Sequence, residues 1–214
     1  PKALQGAGLT PGALGIESLA LSRAVVENGV TPVPLLLVDM GVARSKLSIF
    51  SGYSLRFTTS LAVSAKQFTD AIAKVLHADE EKAEEFKRSY GLDSRDQPIG
   101  EEVFNAIVPP ATDFIEQIRK YLDYYETHIP HQHLGEKQKK IKKVVLCGGG
   151  ANLRGFPEFL MRALKVDVVV GNPWVNILKP DSKDLPELTF HNSLRYTTAL
   201  GLALRGASAG GTYA

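Results

Sequence analysis

Apolar and polar residues alternate along the first third of the chain in a way that predicts a three-stranded antiparallel meander. Residues 35–40 form a continuous apolar run that ends in Asp39-Met40-Gly41, and residues 46–50 and 54–61 then alternate between polar and apolar positions. Alternation with a period of two is typical of half-buried strands, and connections this short force neighbouring strands to run antiparallel. Two later apolar runs, residues 143–147 and 166–170, predict a fourth and a fifth strand.

Helical periodicity predicts the remaining elements. One helical stretch, residues 14–28, precedes the strands. The others follow the meander and flank the two later strands. Pro109 and Pro110 are expected to interrupt or kink one of these helices, because proline lacks the N–H that a helix interior needs. Residues 94–100 are expected to form a loop. The predicted helical stretches cover residues 14–28, 65–77, 79–90, 114–125, 156–164 and 192–205.

Composition narrows the class of protein. The chain has 214 residues, of which 44% are hydrophobic and 22% charged, and its formal net charge is +2. These values predict an ordinary globular chain and give no reason to expect a nucleic-acid partner. Cys147 is the only cysteine, so no disulfide can form within the chain, and a reducing cytoplasmic setting is expected. No apolar run is long enough to predict a transmembrane segment, which needs roughly 18 residues. The opening residue, Pro1, is expected to lie inside a longer protein.

Two glycine motifs carry the candidate chemistry. Asp39-Met40-Gly41 ends the first strand, and Gly148, Gly149 and Gly150 follow the fourth. Glycine lets the backbone approach an anion or a flat ring, since it has no Cβ to block contact. A carboxylate such as Asp39 can hold hydrated Mg²⁺ beside a phosphate. The two motifs together predict an ATP-binding lobe.

The order of these elements, with the motifs, resembles one lobe of the actin-like nucleotide-binding fold, which is ribonuclease H-like. The fold expected from this likeness is α/β, with a five-stranded mixed sheet, flanking helices and a small helical subdomain. Val38-Asp39-Met40-Gly41 is similar to the second phosphate loop, AEEFK at residues 83–87 to the Glu and Lys that contact ribose and adenine, and GGGANL at residues 148–153 to the adenosine loop. The resemblance implies that the nucleotide-binding residues are Asp39, Gly41, Glu84, Lys87, Gly148, Gly149, Gly150 and Asn152, with Asp39 holding Mg²⁺ through water.

Within this superfamily the chain resembles the C-terminal half of PilM, a family of type IV pilus assembly proteins related to FtsA. The strings that carry the likeness are AEEFKRSYG from residue 83, GGGANLRGFP from residue 148, GNP from residue 171 and NSLRYTTALGLALRG from residue 192. The resemblance implies ATP and Mg²⁺ as ligands and a cytoplasmic location at the inner membrane face. It also implies an inner-membrane partner like PilN, whose N-terminal peptide would bind mainly to a lobe upstream of Pro1, and leaves self-association possible.

The same resemblance implies a division of the chain. Residues 1–34 would end the N-terminal lobe and include a connecting helix at residues 16–24. Residues 35–78 and 141–206 would form the nucleotide-binding core, with a second connecting helix around residues 198–203. Residues 79–140 would form the smaller helical subdomain, and residues 207–214 a flexible tail.

Departures from the family pattern leave other interpretations open. The second phosphate loop continues as Val42-Ala43-Arg44-Ser45-Lys46, so a lysine replaces an acid near the metal, and Ser64-Ala65 replaces a common pair of glycines. ATP hydrolysis is therefore expected to be slow or absent. The alternatives are a small-molecule kinase of the same fold and a scaffold that has lost nucleotide binding.

Each candidate also has a plain structural explanation. Asp39 can cap a turn, the glycines can form a tight bend, and Glu84 with Lys87 can form a surface ion pair. His128, His131 and His133 are interpreted as a solvated loop and not as a metal site. The lysines between residues 137 and 143 are interpreted as the approach to the fourth strand, and Cys147 as a small buried residue.

Overall fold

A five-stranded mixed sheet lies at the centre of the structure. The computed structural model describes residues 2–10, 12, 14–128, 140–178 and 187–208. The strand order is β3-β2-β1-β4-β5, in which β1, β2 and β3 are antiparallel neighbours and β4 and β5 continue the sheet parallel to β1. This arrangement confirms the predicted meander and mixed sheet. The strands are β1 Thr31–Met40, β2 Ser45–Gly52, β3 Ser54–Leu61, β4 Lys143–Cys147 and β5 Asp167–Val170.

Strand β1 begins earlier than predicted, at Thr31 instead of Leu35. Pro32 and Pro34 lie in this added segment, where neither can donate a hydrogen bond to a neighbouring strand. The pairing of β1 with β4 begins only at Leu35, and the register of β1 against β2 shifts between Thr31 and Leu35. The two prolines therefore lie where the strand has no β4 neighbour and its ladder is irregular.

Eight α-helices surround the sheet among the described residues. The first predicted helix is shorter than expected at both ends, since it begins at Glu17 and ends at Val25, where the next residue, Val26, takes an extended conformation with ψ of 109°. The last predicted helix is divided by a 3₁₀ turn at Leu194–Tyr196, and residues 209–214 of the predicted tail lie outside the described part of the chain. The helices are α1 Lys2–Gly6, α2 Glu17–Val25, α3 Ala65–Leu76, α4 Glu80–Tyr90, α5 Pro98–His128, α6 Phe156–Leu164, α7 Phe190–Ser193 and α8 Thr197–Ser208, and further 3₁₀ turns lie at Glu27–Gly29 and Gly149–Asn152.

Helix α5 runs through Pro109 and Pro110, so the prolines do not interrupt it, and the predicted loop ends at residue 97 because the helix already begins at Pro98. Its buried stripe begins well before the prolines and continues after them, with Ile107 and Phe114 both fully buried. The packing of this stripe on both sides outweighs the local cost of proline, which is roughly 3 kcal/mol in an exposed helix.

The sheet buries different sets of helices on its two faces. Phe68, Phe114 and Phe156, from α3, α5 and α6, meet over one face with ring centroids 5.7 Å apart for both Phe156 pairs. On the other face Leu21 of α2 packs with the buried side chains of β1, β2 and β4. Because α3, α5 and α6 share one apolar cluster with the sheet, they hold the ends of β1 and β4 in place.

Helices α2 and α8 cross closely. A methyl group at Gly201 of α8 would overlap the carbonyl group of Ala20 of α2 and lie 3.2 Å from its Cα. The absence of a side chain at Gly201 therefore allows the two helices to pack backbone against backbone. None of the helices described is long and apolar enough to cross a membrane. The predicted division into a core and a smaller subdomain remains a prediction.

Candidate functional site

The two glycine motifs meet at one edge of the sheet. Strands β1 and β4 are parallel and pair Asp39 with Cys147, so both strands deliver the residues that follow them to the same edge. A Cβ on Gly148, whose φ is +80°, would overlap Asp39 Oδ1 and lie 2.7 Å from the carbonyl oxygen of Met40. Asp39 and the start of the glycine loop are therefore direct neighbours.

The three consecutive glycines differ in what surrounds them. A Cβ at Gly150 would lie 2.5 Å from Met40 Cγ and 2.9 Å from its carbonyl oxygen, so this glycine is needed for packing against β1. A Cβ at Gly149 would have the Cβ of Arg195, at 3.9 Å, as its nearest neighbour. Packing within the protein therefore explains Gly148 and Gly150, whereas Gly149 is exposed and a Cβ there would make only an ordinary van der Waals contact.

The turn after β1 is attached to the start of α3. The Gly41 N–H donates to the carbonyl of Arg44 at 3.1 Å, and the carbonyls of Gly41 and Val42 accept from Ala65 at 3.0 Å and Lys66 at 3.1 Å. A Cβ on Gly41 would lie 2.8 Å from the Arg44 carbonyl oxygen, so the turn itself requires glycine. The turn thus satisfies two of the N–H groups that the first turn of α3 would otherwise leave unpaired.

Glu84 and Lys87 connect α4 to the same part of α3. Lys87 Nζ lies 2.5 Å from Glu84 Oε2 and 2.7 Å from Thr69 Oγ1, and Thr69 donates to Glu84 Oε2 at 2.8 Å. Lys87 also donates to the carbonyl of Ala65 at 3.4 Å. Glu84 and Lys87 are therefore connected to the turn after β1 through Ala65, whose carbonyl accepts from Lys87 and whose N–H donates to Gly41.

The electrostatics at Glu84 favour its ionised form. Partial burial alone would raise the pKa of this carboxyl group, but hydrogen bonds from Lys87 and Thr69 and the charges of Lys87 and Arg88 hold the pKa below its usual range. Glu84 is consequently a fixed anion at neutral pH, with its oxygens already accepting hydrogen bonds.

The glycine loop also contacts the end of α4. The N–H of Leu92 donates to the carbonyl of Arg154 at 2.8 Å, and the Arg154 side chain donates to the carbonyl of Ser89 at 2.8 Å. Gly91 has φ of +56°, and a Cβ there would lie 2.5 Å from the Arg154 carbonyl oxygen. The AEEFKRSYG and GGGANLRGFP segments, far apart in the chain, are therefore direct neighbours.

Asn152 binds a residue that sequence reasoning missed. Its side-chain amide donates to the carbonyl of His191 at 2.8 Å, and its Oδ1 lies 2.9 Å from His191 Nδ1. This pair holds α7 beside the glycine loop and also brings Arg195 close to Gly149. The one signal in the sequence was that residues 190–196 directly precede the last helix, which would place them near the glycine loop.

Asp39 lies half-buried on the face of β1 that α2 covers. It lines a closely packed cleft, too tight to admit a water molecule, with Lys46 and Ser48 of β2 and Glu17 and Ser18 of α2. Burial raises the pKa of Asp39. Lys46 lies directly opposite Asp39 in the β1–β2 pairing, and its ammonium forms an ion pair with Glu17.

The donors present fit a nucleotide with water-bound magnesium better than a metal held by protein alone. Among the residues that the structure describes, no group of three or more His, Cys, Asp and Glu side chains could hold a metal ion. Magnesium commonly binds one carboxylate and takes its other ligands from water and phosphate oxygens. Asp39, whose Oδ1 lies against Gly148 at the start of the glycine loop, is a single carboxylate of this kind.

The other candidate side chains have structural surroundings. Cys147 is buried, and burial followed by the charge of Asp39 raises the pKa of its thiol, which disfavours the reactive thiolate. His128 stacks on Tyr124 with ring centroids 4.6 Å apart. His131, His133, Lys137 and Lys139 lie outside the described residues.

Comparison with known proteins identifies the fold and the family to which the chain is similar. A family model described as type IV pilus assembly protein PilM matches residues 2–207. The cell division protein FtsA of Enterococcus hirae is 23% identical over 176 residues, which cover 78% of this chain and 40% of FtsA. The chain therefore spans less than half the length of that relative.

Solved structures give the same result. A PilM–PilN type IV pilus biogenesis complex matches with a TM-score of 0.75 and 28% identity, covering 96% of this chain and 56% of the matched chain. MreB5 of Spiroplasma citri bound to ADP matches with a TM-score of 0.70 and 15% identity, over 97% of this chain and 64% of that one. The fold is actin-like, as the sequence predicted.

Proposed function

The chain belongs to the family of type IV pilus assembly proteins PilM, and from that premise we propose that it is an ATP-binding component of pilus assembly. In this proposal ATP binds at the edge formed by β1 and β4. The bound nucleotide fixes the geometry of two lobes, and an inner-membrane partner similar to PilN recognises that geometry from the cytoplasmic side. The chain would act by differential affinity for open and closed lobes, without fast hydrolysis.

One observation carries the proposal. The turn after β1, the glycine loop after β4 and the end of α4 are distant in the chain, yet they lie side by side. Each matches a different part of the nucleotide site that the sequence resemblance implied. Their convergence, through Gly148 and Gly150 at β1 and through Arg154 at the end of α4, supports a shared ligand.

Each residue has a proposed role. Asp39 would orient water on the magnesium ion, which supplies positive charge to the phosphates when bound. Gly41 shapes the turn that faces the phosphates. Glu84 and Lys87 would bind the ribose and base after exchanging hydrogen bonds that they now make with each other and with Thr69. Gly149 would contact the adenosine, while Asn152 keeps the loop in place through His191.

The partner is proposed from the family and the matched complex. The solved structure most relevant here is described as a PilM–PilN complex. A peptide from a PilN-like membrane protein is accordingly the proposed partner, with its main contacts on a lobe that this chain does not include.

Calorimetric titration of the full-length protein with ATP and Mg²⁺ tests the proposal. The informative variant is Gly149→Ala, because a Cβ there meets nothing closer than 3.9 Å and the fold should tolerate it. We expect an unchanged melting temperature and at least tenfold weaker ATP binding. Gly206→Ala is the matched control, since a Cβ at Gly206 has no neighbour within 4 Å and lies outside the site.

The alternatives give different results. Wild-type protein that shows no heat and no melting shift with millimolar Mg-ATP would be a scaffold that has lost the nucleotide. Phosphate transfer that depends on a small-molecule acceptor would indicate a kinase. Equal ATP affinity in wild type and Gly149→Ala would show that the glycine loop is not the ligand surface.

A further inference from the structure

Lys46 occupies an unusual place in the candidate site. It lies opposite Asp39 in the antiparallel pairing of β1 and β2, so both side chains are on the same face of the sheet and line the same cleft. The cleft therefore contains the Lys46 ammonium beside the carboxylate that is proposed to hold magnesium.

The ammonium of Lys46 forms an ion pair with Glu17, and breaking this pair should cost little free energy. Its partner is Glu17, whose side chain is 50% exposed while that of Lys46 is 24% exposed. Ion pairs this exposed contribute little to stability. Glu17 also lies in the first turn of α2, where the positive end of the helix dipole stabilises a carboxylate without Lys46.

A phosphate group is the stronger partner for the same ammonium. It carries more negative charge than a carboxylate and offers several oxygens to a charge-assisted hydrogen bond. The turn that follows Asp39 is the proposed phosphate loop, and Lys46 is the second residue of the strand that follows this turn. Lys46 therefore has two possible partners, the carboxylate of Glu17 and a phosphate group of a bound nucleotide.

We propose that Lys46 is a phosphate-binding residue that moves from Glu17 to the nucleotide when ATP binds. This inference rests on the proposed ATP site and goes further, because it names a residue that regulates that site. Lys46 would supply part of the positive charge that the phosphates need, so binding depends less on magnesium. Its departure releases Glu17 and the first turn of α2.

Release of the first turn of α2 can affect other parts of the molecule, because this helix contacts both α8 and the meander. Helix α2 crosses α8 at Gly201, where the backbone of Ala20 is in contact with α8. Ser18, next to Glu17, is bonded through Thr58 to Ser48 of β2 at 3.0 Å and 3.1 Å. Loss of the Lys46–Glu17 pair leaves only this hydroxyl chain, among the side-chain hydrogen bonds described, to hold the start of α2 to the meander.

Two substitutions should change ATP affinity in opposite directions, and this sign is the test. Glu17→Gln removes the competing anion and should tighten ATP binding about threefold, the factor expected for a partly exposed ion pair. Lys46→Gln removes the proposed phosphate contact and should weaken binding about tenfold, in line with a charged hydrogen bond. The double variant should behave like Lys46→Gln. Titration calorimetry of the full-length protein, in Mg²⁺ and in EDTA, measures all four affinities.

The matched controls remove the same charges elsewhere. Lys82 and Glu85 form an exposed ion pair on α4, with 2.7 Å between Nζ and Oε2. Lys82→Gln and Glu85→Gln should leave ATP affinity unchanged. Amide hydrogen exchange gives a second measurement, because ATP should speed exchange in the first turn of α2 in wild type and not in Lys46→Gln.

The outcomes separate this inference from the proposed function. If Glu17→Gln and Lys46→Gln weaken binding equally, the ion pair is only structural and the inference is wrong. If wild type binds ATP and Lys46→Gln matches its Lys82→Gln control, the inference fails while the proposed function stands. If wild type binds no ATP, both fail.

Discussion

Replacing Gly201 by alanine tests the close crossing of α2 and α8. The added methyl group would overlap the Ala20 carbonyl and lie 3.2 Å from the Ala20 Cα. These are backbone atoms that no rotamer change can move, so the helices must separate. Overpacking of this kind costs about 3 kcal/mol at the upper end of its range, and alanine returns about 1 kcal/mol of helix propensity. We therefore expect a net loss of about 2 kcal/mol in the free energy of unfolding.

Gly206→Ala in the same helix provides the control, since a Cβ there meets nothing within 4 Å. It should be neutral or stabilise the protein by up to about 1 kcal/mol through helix propensity alone. Urea unfolding followed by circular dichroism should show the Gly201→Ala midpoint lowered by about 1 M, for a slope of about 2 kcal/mol per molar urea. A Gly201→Ala midpoint equal to or above that of wild type would refute the tight crossing.

Three further predictions concern the core and the site. Glu84→Gln should lower the free energy of unfolding at neutral pH. Because folding depresses the pKa of Glu84, the difference from wild type should shrink and disappear as the pH falls below the ordinary value of 4.5. Urea unfolding at a series of pH values measures this difference. Ser45→Ala should be neutral or stabilising by about 1 kcal/mol in thermal unfolding, because the buried Ser45 hydroxyl has no hydrogen-bond partner among the described residues. Phe156→Ala should cost about 3–5 kcal/mol in urea unfolding, because its fully buried ring packs on Phe68 and Phe114; a loss below 1 kcal/mol would contradict that packing.

The sequence was informative wherever one local pattern decided the structure. The meander followed from alternation and short turns, whereas the meeting of Asp39 with the glycine loop was expected from the family resemblance and not from any local spacing. The pattern failed where tertiary packing outweighed local preference. Helix α5 continues through Pro109 and Pro110 because its buried stripe is anchored on both sides.

The side-chain partners within the site could not be predicted in the same way. The Lys46–Glu17 pair joins a strand to a helix 29 positions earlier, and the Asn152–His191 contact spans 39 positions. Such pairs depend on how the helices pack against the sheet, which no local spacing encodes. The sequence predicted Glu84 and Lys87 as neighbours because they lie one turn apart on the same helix, but their attachment to Thr69 and Ala65 required the packing of α4 on α3.

The contact between the glycine loop and Met40 has a consequence for how the family can vary. A Cβ at position 148 would meet the Met40 backbone, and one at position 150 would meet both the Met40 side chain and the Met40 carbonyl oxygen. A smaller residue at position 40 would relieve only the side-chain contact, so relatives that keep this loop should keep glycine at position 150 whatever residue they carry at position 40. An alignment in which position 150 often carries a side chain would mean that the loop follows a different path in those relatives.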